Sequence, residues 1–185
     1  MVVVEHDAAE LERVRNAGIV DIERELSAVP VFEPLSDELL HELAMQTQRR
    51  LYAPGELVIQ QGDYGEELFV VEKGDLEVLI DRHDGMQRVA SLHVRQFFGE
   101  MSLMTGEPRS ATVRAETEVT LLVVSKETLQ PILEASPELA NEISSVLAER
   151  ELNLRSTVAP GESKAEQVSA RSGELLNRIR EFFSI

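Results

Sequence analysis

Residues 98–113 read FGEMSLMTGEPRSATV, and this order of residue types is typical of a ligand-binding loop rather than of a buried structural element. A Gly-Glu pair opens the stretch, residues 101–104 are long enough for one helical turn, and Gly106 ends that turn. From Arg109 onward the residues have strand character. Glycine lets backbone approach a ligand, the first N–H groups of a helix are unpaired, and arginine presents a planar charged fork. The stretch therefore predicts an anion site.

Short strand patterns separated by glycine turns lie on both sides of this stretch. Apolar and β-branched runs predict strands at 57–59, 68–71, 76–80, 89–92, 111–115 and 119–124. Turns are expected at Gly55, Gly62, Gly74 and Gly85. Such a series, with no long helix inside it, favours an all-β sandwich or barrel.

Helical patterns flank the β region. An apolar repeat predicts a helix over residues 7–28, which either lies on the main domain or couples it to something upstream. Ser36 is the expected N-cap of a second helix that ends near Gln48, and Ser125 is the expected N-cap of a third.

The C-terminal part predicts two more helices. Pro137 opens a helix that extends to about Arg155, and a polar linker with proline and glycine follows at 156–163. Residues 174–185 place five apolar side chains on one helical face: Leu175, Leu176, Ile179, Phe182 and Phe183. A free helix with this face would be marginal in water, so it is expected to dock on its own domain, on a partner protomer or on another region.

Three segments follow from these patterns. Residues 1–29 form an N-terminal helical linker or coupling segment, residues 30–155 form the main domain, and residues 156–185 form a linker with an amphipathic helix.

Composition excludes several classes of function. The 185 residues include 34 acidic and 18 basic ones, for a net charge of -16, which opposes binding to nucleic acid or to anionic lipid. There is no cysteine, so disulfides and thiol chemistry are excluded. No apolar run reaches the roughly 20 residues that span a bilayer, so direct membrane insertion is not expected. A start at Met1–His6 lacks the features of a signal peptide.

Catalytic and metal-binding patterns are also missing. Ser102 and Ser110 have no recognisable histidine and acid partners, so the chain is not expected to be an enzyme. No metal site is expected, because no pair of histidines has metal-ligand spacing among His6, His41, His83 and His93.

The glycine turns and the opening stretch together resemble cyclic-nucleotide-binding domains. The matching motifs are Pro54-Gly55, Gln61-Gly62-Asp63, Leu68–Val71, Gly74-Asp75-Leu76, Phe98-Gly99-Glu100 and Arg109–Val113. The resemblance covers roughly residues 30–155 and implies a mainly β fold with flanking α. This fold is an eight-stranded antiparallel β-roll of the jelly-roll type, with N-terminal helices, a short phosphate-cassette helix and C-terminal lid helices. Arg95 stands where the family usually has a glycine, which leaves that turn's geometry in question.

The resemblance also implies the ligand and its contacts. The ligand would be cAMP, or less favourably cGMP, with no other cofactor. Arg109 would bind the cyclic phosphate and Glu100 the ribose, and because Arg109 can neutralise both anions, the two residues are expected to form a pair. Backbone N–H groups would come from Gly99, Met101, Ser110 and Ala111. Val78 and Val89 would face the purine, and Arg150 would stack on the base or hydrogen-bond to it.

The expected function is therefore regulatory. Ligand binding would draw the helix at 137–155 over the purine, and the helices on either side would transmit that motion. Residues 156–185 are too few for a helix-turn-helix domain, and residues 178–183 resemble the tails of bacterial cyclic-nucleotide-regulated channels. The favoured effector is a membrane channel, with this domain on its cytoplasmic face. The alternatives are a stand-alone soluble cAMP receptor in the cytoplasm, or a β-roll interaction module that binds no nucleotide. The flanking helices leave a homo-oligomer open.

Overall fold

The computed structural model describes residues 8–82, 85–155 and 164–185. The chain start, the predicted hairpin tip at His83-Asp84 and the predicted linker at 156–163 lie outside the described residues. The helices are α1 (Ala8–Ser27), α2 (Asp37–Gln46), α3 (Glu100–Thr105), α4 (Lys126–Ala135), α5 (Pro137–Arg155) and α6 (Lys164–Phe183), with a 3₁₀ helix at Pro30–Phe32. The strands are β1 (Gln48–Tyr52), β2 (Leu57–Ile59), β3 (Glu67–Lys73), β4 (Leu76–Arg82), β5 (Gly85–Leu92), β6 (Phe97–Phe98), β7 (Thr112–Ala115) and β8 (Val119–Ser125).

The described strands form two four-stranded antiparallel sheets. One sheet has the order β1-β8-β3-β6 and the other has the order β2-β7-β4-β5. Phe69 of β3 pairs with Phe98 of β6 in the first sheet, and their rings stack with centroids 5.0 Å apart. This pairing places the start of residues 98–113 directly beside a central strand. The predicted fold, a β-roll with flanking helices, is confirmed.

Strand β3 in the first sheet is buried on both faces. Leu68 and Val70 of β3 contact the helices, whereas Phe69 and Val71 belong to a second apolar cluster between the two sheets. Alternate residues of a strand point to opposite faces, so a continuous apolar run such as LFVV is what burial on both sides requires. β3 is therefore held rigidly between two cores, and it carries the groups that position the site.

The helices begin where their capping residues predict. Ser36 Oγ accepts a hydrogen bond from the Leu39 N–H at 3.4 Å, and Ser125 Oγ accepts one from the Thr128 N–H at 3.3 Å. α5 begins at Pro137, whose missing N–H costs nothing there. Among the described residues, none of these helices combines the length and the apolar character needed to cross a membrane.

The structure contains two strands that the sequence patterns did not predict, β1 and β6, and α2 ends earlier than expected. α2 ends at Gln46 instead of near Gln48, because β1 begins at Gln48 and pairs along its whole length with β8. The sequence QRRLY lacks a clear apolar alternation, since β1 is an edge strand that is mostly exposed. β6 has only two residues, too few to give a periodic signal.

The turn at Arg95 forms without a glycine. Arg95 has φ +69°, the left-handed conformation that favours glycine, and its N–H donates to the Val71 carbonyl at 2.8 Å. The turn that the resemblance implies is thus present, at a backbone cost of about 1–2 kcal/mol for a residue with a side chain.

The C-terminal helix docks on its own domain. α6 begins earlier than predicted, at Lys164, and buries Leu175, Ile179 and Phe183 in the same apolar cluster that lines the helical side of β3. Of the three docking sites left open by the sequence, the structure selects the first. The division of the chain into segments at residues 29 and 155 stays a prediction.

We expect Gly74→Ala to lower the free energy of unfolding more than Gly55→Ala does. Both glycines have positive φ, at +89° and +88° respectively, so each alanine carries backbone strain of about 1–2 kcal/mol. Only at Gly74 would the added Cβ lie 2.4 Å from the Glu118 carbonyl oxygen, whereas nothing lies within 4 Å at Gly55. Urea unfolding followed by circular dichroism measures the difference, and equal losses for the two variants would contradict it.

Candidate functional site

Residues 98–113 fold as a strand end, a glycine, one short helix and the start of a second strand. Gly99 is the N-cap of α3 with φ +83°, and Gly106 is its C-cap with φ +70°. A Cβ on Gly99 would lie 2.7 Å from the Glu67 carbonyl oxygen and 2.8 Å from Arg109 Nη1. Glycine is therefore required at residue 99 both for its conformation and for the close approach of a charged group.

Arg109 is buried directly beneath this glycine. Arg109 is only 5% exposed, and its guanidinium donates hydrogen bonds to two backbone carbonyls. Nη1 donates to Gly99 O at 2.7 Å and to Glu67 O at 3.1 Å, and Nη2 donates to Glu67 O at 3.1 Å. The guanidinium carbon also lies 5.8 Å from the centroid of the Phe69 ring. These contacts hold the fork in one orientation.

The charge of Arg109 is oriented but not neutralised. Burial lowers the pKa of its guanidinium, and the nearby Glu67 and Glu100 carboxylates only partly oppose that effect. Among the described residues, no carboxylate lies within 4.0 Å of this guanidinium. A buried cation is costly without a counter-charge, whereas carbonyl oxygens contribute only partial charge. The arrangement therefore favours a bound anion.

Glu100 is buried as well, but its partner is a different arginine. Glu100 is 3% exposed, and its Oε1 accepts a hydrogen bond from Arg150 Nη1 at 2.5 Å. The Arg150 guanidinium carbon lies 4.5 Å from the centroid of the Phe97 ring. Arg150 rather than Arg109 makes the hydrogen bond to Glu100, because α5 brings Arg150 to the carboxylate while Arg109 is already held by carbonyls. Glu100 still acts on Arg109 through space, and the expected pairing of the two in a ligand-bound site stays a prediction. The structure thus brings Glu100, Arg109 and Arg150 to one place.

The other predicted ligand contacts are the backbone donors at Ser110 and Ala111 and the side chains of Val78 and Val89. No described residue accepts a hydrogen bond from the backbone N–H of Ser110 or Ala111, and Ser110 is exposed, so these donors are available. Val78 lies partly buried against the cluster between the sheets. Val89 is 37% exposed and lies at a bulge, where Val78 pairs with Ala90 and Leu79 pairs with Arg88. Contact of either valine with a purine stays a prediction, as do N–H donation from Gly99 and Met101.

Sequence reasoning missed the groups that hold Arg109. The Asp63 carbonyl accepts from the Arg109 N–H at 2.7 Å, and the Arg109 carbonyl accepts from the Gly62 N–H at 2.9 Å. A Cβ on Gly65 would lie 2.4 Å from Arg109 Nη2. The turn at residues 61–65 is visible in the sequence, but its pairing with residue 109 is a long-range contact that a local pattern does not contain.

No described group of three or more histidine or acidic residues is arranged to hold a metal ion. Of the histidines that the sequence offered, His6 and His83 lie outside the described residues. His41 and His93 each face a single carboxylate, Glu23 and Asp75 respectively.

Comparison with known proteins identifies the central region. Residues 49–136 match the family model described as the cyclic nucleotide-binding domain. The chain is 34% identical over 139 residues to a cyclic nucleotide-gated potassium channel of Rhizobium etli, a match that covers 75% of this chain and 38% of the channel.

Two solved structures show the same fold. The regulatory domain of Toxoplasma gondii protein kinase A, crystallised with cAMP, has a TM-score of 0.64 at 21% identity and covers 92% of this chain and 60% of its own. The N-terminal domain of a transcriptional regulator from Streptomyces coelicolor has a TM-score of 0.58 at 32% identity, with coverage of 74% and 98% respectively. These relatives are thus a channel, a kinase regulatory domain and a domain of a transcriptional regulator.

We expect Gly65→Ala to lower the free energy of unfolding by about 1–3 kcal/mol, because the new Cβ displaces a buried guanidinium from its carbonyl acceptors. The same substitution in an Arg109→Ala background should cost much less, because the colliding atoms are gone. Urea unfolding of the four chains gives the coupling between the two residues. Additive losses would show that Gly65 does not accommodate Arg109.

Proposed function

The chain belongs to the cyclic nucleotide-binding domain family, and from that premise we propose that it is a regulatory sensor that binds cAMP in preference to cGMP. The observation that carries this proposal is the buried, oriented Arg109 guanidinium, which has carbonyl partners but no described carboxylate within ion-pair distance. A cyclic phosphate carries one negative charge and has two free oxygens, which suits such a fork. The preference for cAMP is supported by the Toxoplasma gondii regulatory domain crystallised with that nucleotide.

The ribose is assigned to Glu100. A carboxylate only accepts hydrogen bonds, so it suits the 2′-hydroxyl as donor. Glu100 lies one residue from Gly99, whose carbonyl holds Arg109, so the ribose and phosphate groups of one ligand can reach both residues. Arg150 already occupies Oε1 of this carboxylate, so the ribose either displaces it or uses the second oxygen. The N–H groups of Ser110 and Ala111, which donate to no described residue, would supply further donors for the phosphate.

The effector is inferred from the relatives. The Rhizobium etli relative is a channel, and we infer that this domain regulates a membrane channel, whose opening would follow nucleotide binding. The Streptomyces coelicolor relative is part of a transcriptional regulator, so domains of this kind serve more than one effector. Pore helices encoded upstream in the same reading frame would support a channel. A stop codon directly upstream would favour a stand-alone receptor.

A regulatory role without catalysis agrees with both solved relatives, which are a kinase regulatory domain and a domain of a transcriptional regulator. The energy of binding would then serve a change in conformation, and the ligand can shift that equilibrium only by its differential affinity for the two forms.

We expect Arg109→Ala to weaken cAMP binding by about 10- to 150-fold, the equivalent of a lost ionic hydrogen-bond set of about 1.5–3 kcal/mol. Isothermal titration calorimetry with cAMP and with cGMP measures the loss. Arg114→Ala is the matched control, because Arg114 lies on β7, is exposed and pairs with Glu77. A folded wild-type chain that gives no heat with either nucleotide in the micromolar range would indicate an interaction module instead.

The ribose assignment has its own test. We expect 2′-deoxy-cAMP to bind the wild type about 5- to 100-fold more weakly than cAMP, because the ligand loses the hydrogen bond from its 2′-hydroxyl to the Glu100 carboxylate. In Glu100→Gln the difference between the two ligands should shrink, since the amide is a weaker acceptor than the carboxylate. If 2′-deoxy-cAMP binds more weakly than cAMP by the same factor in both chains, the hydroxyl binds elsewhere.

A further inference from the structure

α6 connects the two helices that carry the opposed charges of Glu100 and Arg150. It lies outside residues 49–136, the part that matches the family model. On α3 it contacts the C-cap: a Cβ on Gly106 would lie 2.8 Å from Cε2 of Phe182. Arg178 forms an ion pair with Glu107 at 2.7 Å, one residue further along. The end of α6 thus rests on the end of the helix that begins with Glu100.

The other contacts of α6 are with α5 and α4. Arg171 forms an ion pair with Glu151 at 2.6 Å, and the hydroxyl oxygens of Ser172 and Ser144 lie 3.0 Å apart. Glu151 is the immediate neighbour of Arg150. Lys126 of α4 lies 3.4 Å from the centroid of the Phe182 ring, which holds that ring in place. α6 is therefore tied to the residue beside Arg150 at one end and to α3 at the other.

We propose that α6 is an autoinhibitory clasp that holds Arg150 on Glu100, so that the ribose of the nucleotide must compete with Arg150 for that carboxylate. This inference rests on the proposed function, because it needs Glu100 to bind the ribose. The clasp residues are Phe182 and Arg178, and the competing residue is Arg150. The apparent affinity is then the intrinsic affinity multiplied by the fraction of molecules in which Arg150 does not occupy Glu100.

The structure offers Arg150 another position once it leaves Glu100. A cavity of about 480 Å³ lies between α5 and the 3₁₀ helix, and its lining includes Phe97, Arg150, Glu33 and Glu142. The two carboxylates provide alternative partners for the displaced guanidinium, and Phe97 borders both positions. Arg150 lines this cavity together with both carboxylates, so charged partners are available to it after it leaves Glu100.

The test is calorimetric titration of cAMP into the full chain and its variants. We expect Phe182→Ala and Arg178→Glu each to tighten binding about three- to tenfold, because each weakens the clasp but touches neither Glu100 nor Arg109. The swap Arg178→Glu with Glu107→Arg restores the ion pair and should return the affinity to that of the wild type. Arg180→Ala, on the exposed side of the same helix, is the control and should bind like the wild type.

Arg150→Gln should also tighten binding, and in that background Phe182→Ala should have little further effect, because the clasp has nothing left to hold. Weaker binding by Arg150→Gln would assign Arg150 to the base and overturn the inference. If the wild type binds cAMP and the clasp variants bind it with unchanged or lower affinity, the inference is overturned while the proposed function stands. If the wild type and every clasp variant fail to bind, the proposed function fails and the inference with it. Binding by the clasp variants but not by the wild type would support both.

Discussion

The geometry of the site depends on the burial of Arg109. A guanidinium with 5% exposure needs acceptors, and the chain supplies the carbonyls of Glu67 and Gly99. These acceptors can approach only because residues 65 and 99 lack a Cβ. One buried cation therefore joins the turn before β3, the start of α3 and the segment before β7, three pieces that are distant in the sequence.

The two arginines of the site are in different electrostatic situations. Arg150 is paired with a buried carboxylate, so that charge is balanced within the protein. Arg109 is hydrogen-bonded to carbonyls, no described carboxylate lies within 4.0 Å of it, and the more distant Glu67 and Glu100 offset its charge only in part. This asymmetry gives the site a preference for an anion near Arg109, and it leaves Glu100 as a group whose partner can be exchanged.

The burial of β3 on both faces links residues 98–113 to the helices that pack on the first sheet. Phe69 and Val71 contribute to the cluster between the sheets, and Leu68 and Val70 contribute to the cluster beneath the helices. The cluster beneath the helices includes Leu103 of α3, Leu147 of α5 and Ile179 of α6. Close-packed interiors resist continuous deformation, so a shift of α3 is expected to move its neighbours rather than to be absorbed locally.

Local sequence patterns predicted most of the strands and turns and the helix caps at Ser36 and Ser125, because these signals lie in short runs. The resemblance to a family then proposed Glu100 and Arg109 as candidate ligands. The local patterns missed β1 and β6, since an exposed edge strand and a two-residue strand have no apolar alternation to read. Only the tertiary structure decided that Glu100 pairs with Arg150, 50 residues away, rather than with Arg109, and that α6 docks on α3. Either arginine suits a carboxylate chemically, so the choice depends on distances that exist only once the helices lie against the sheet.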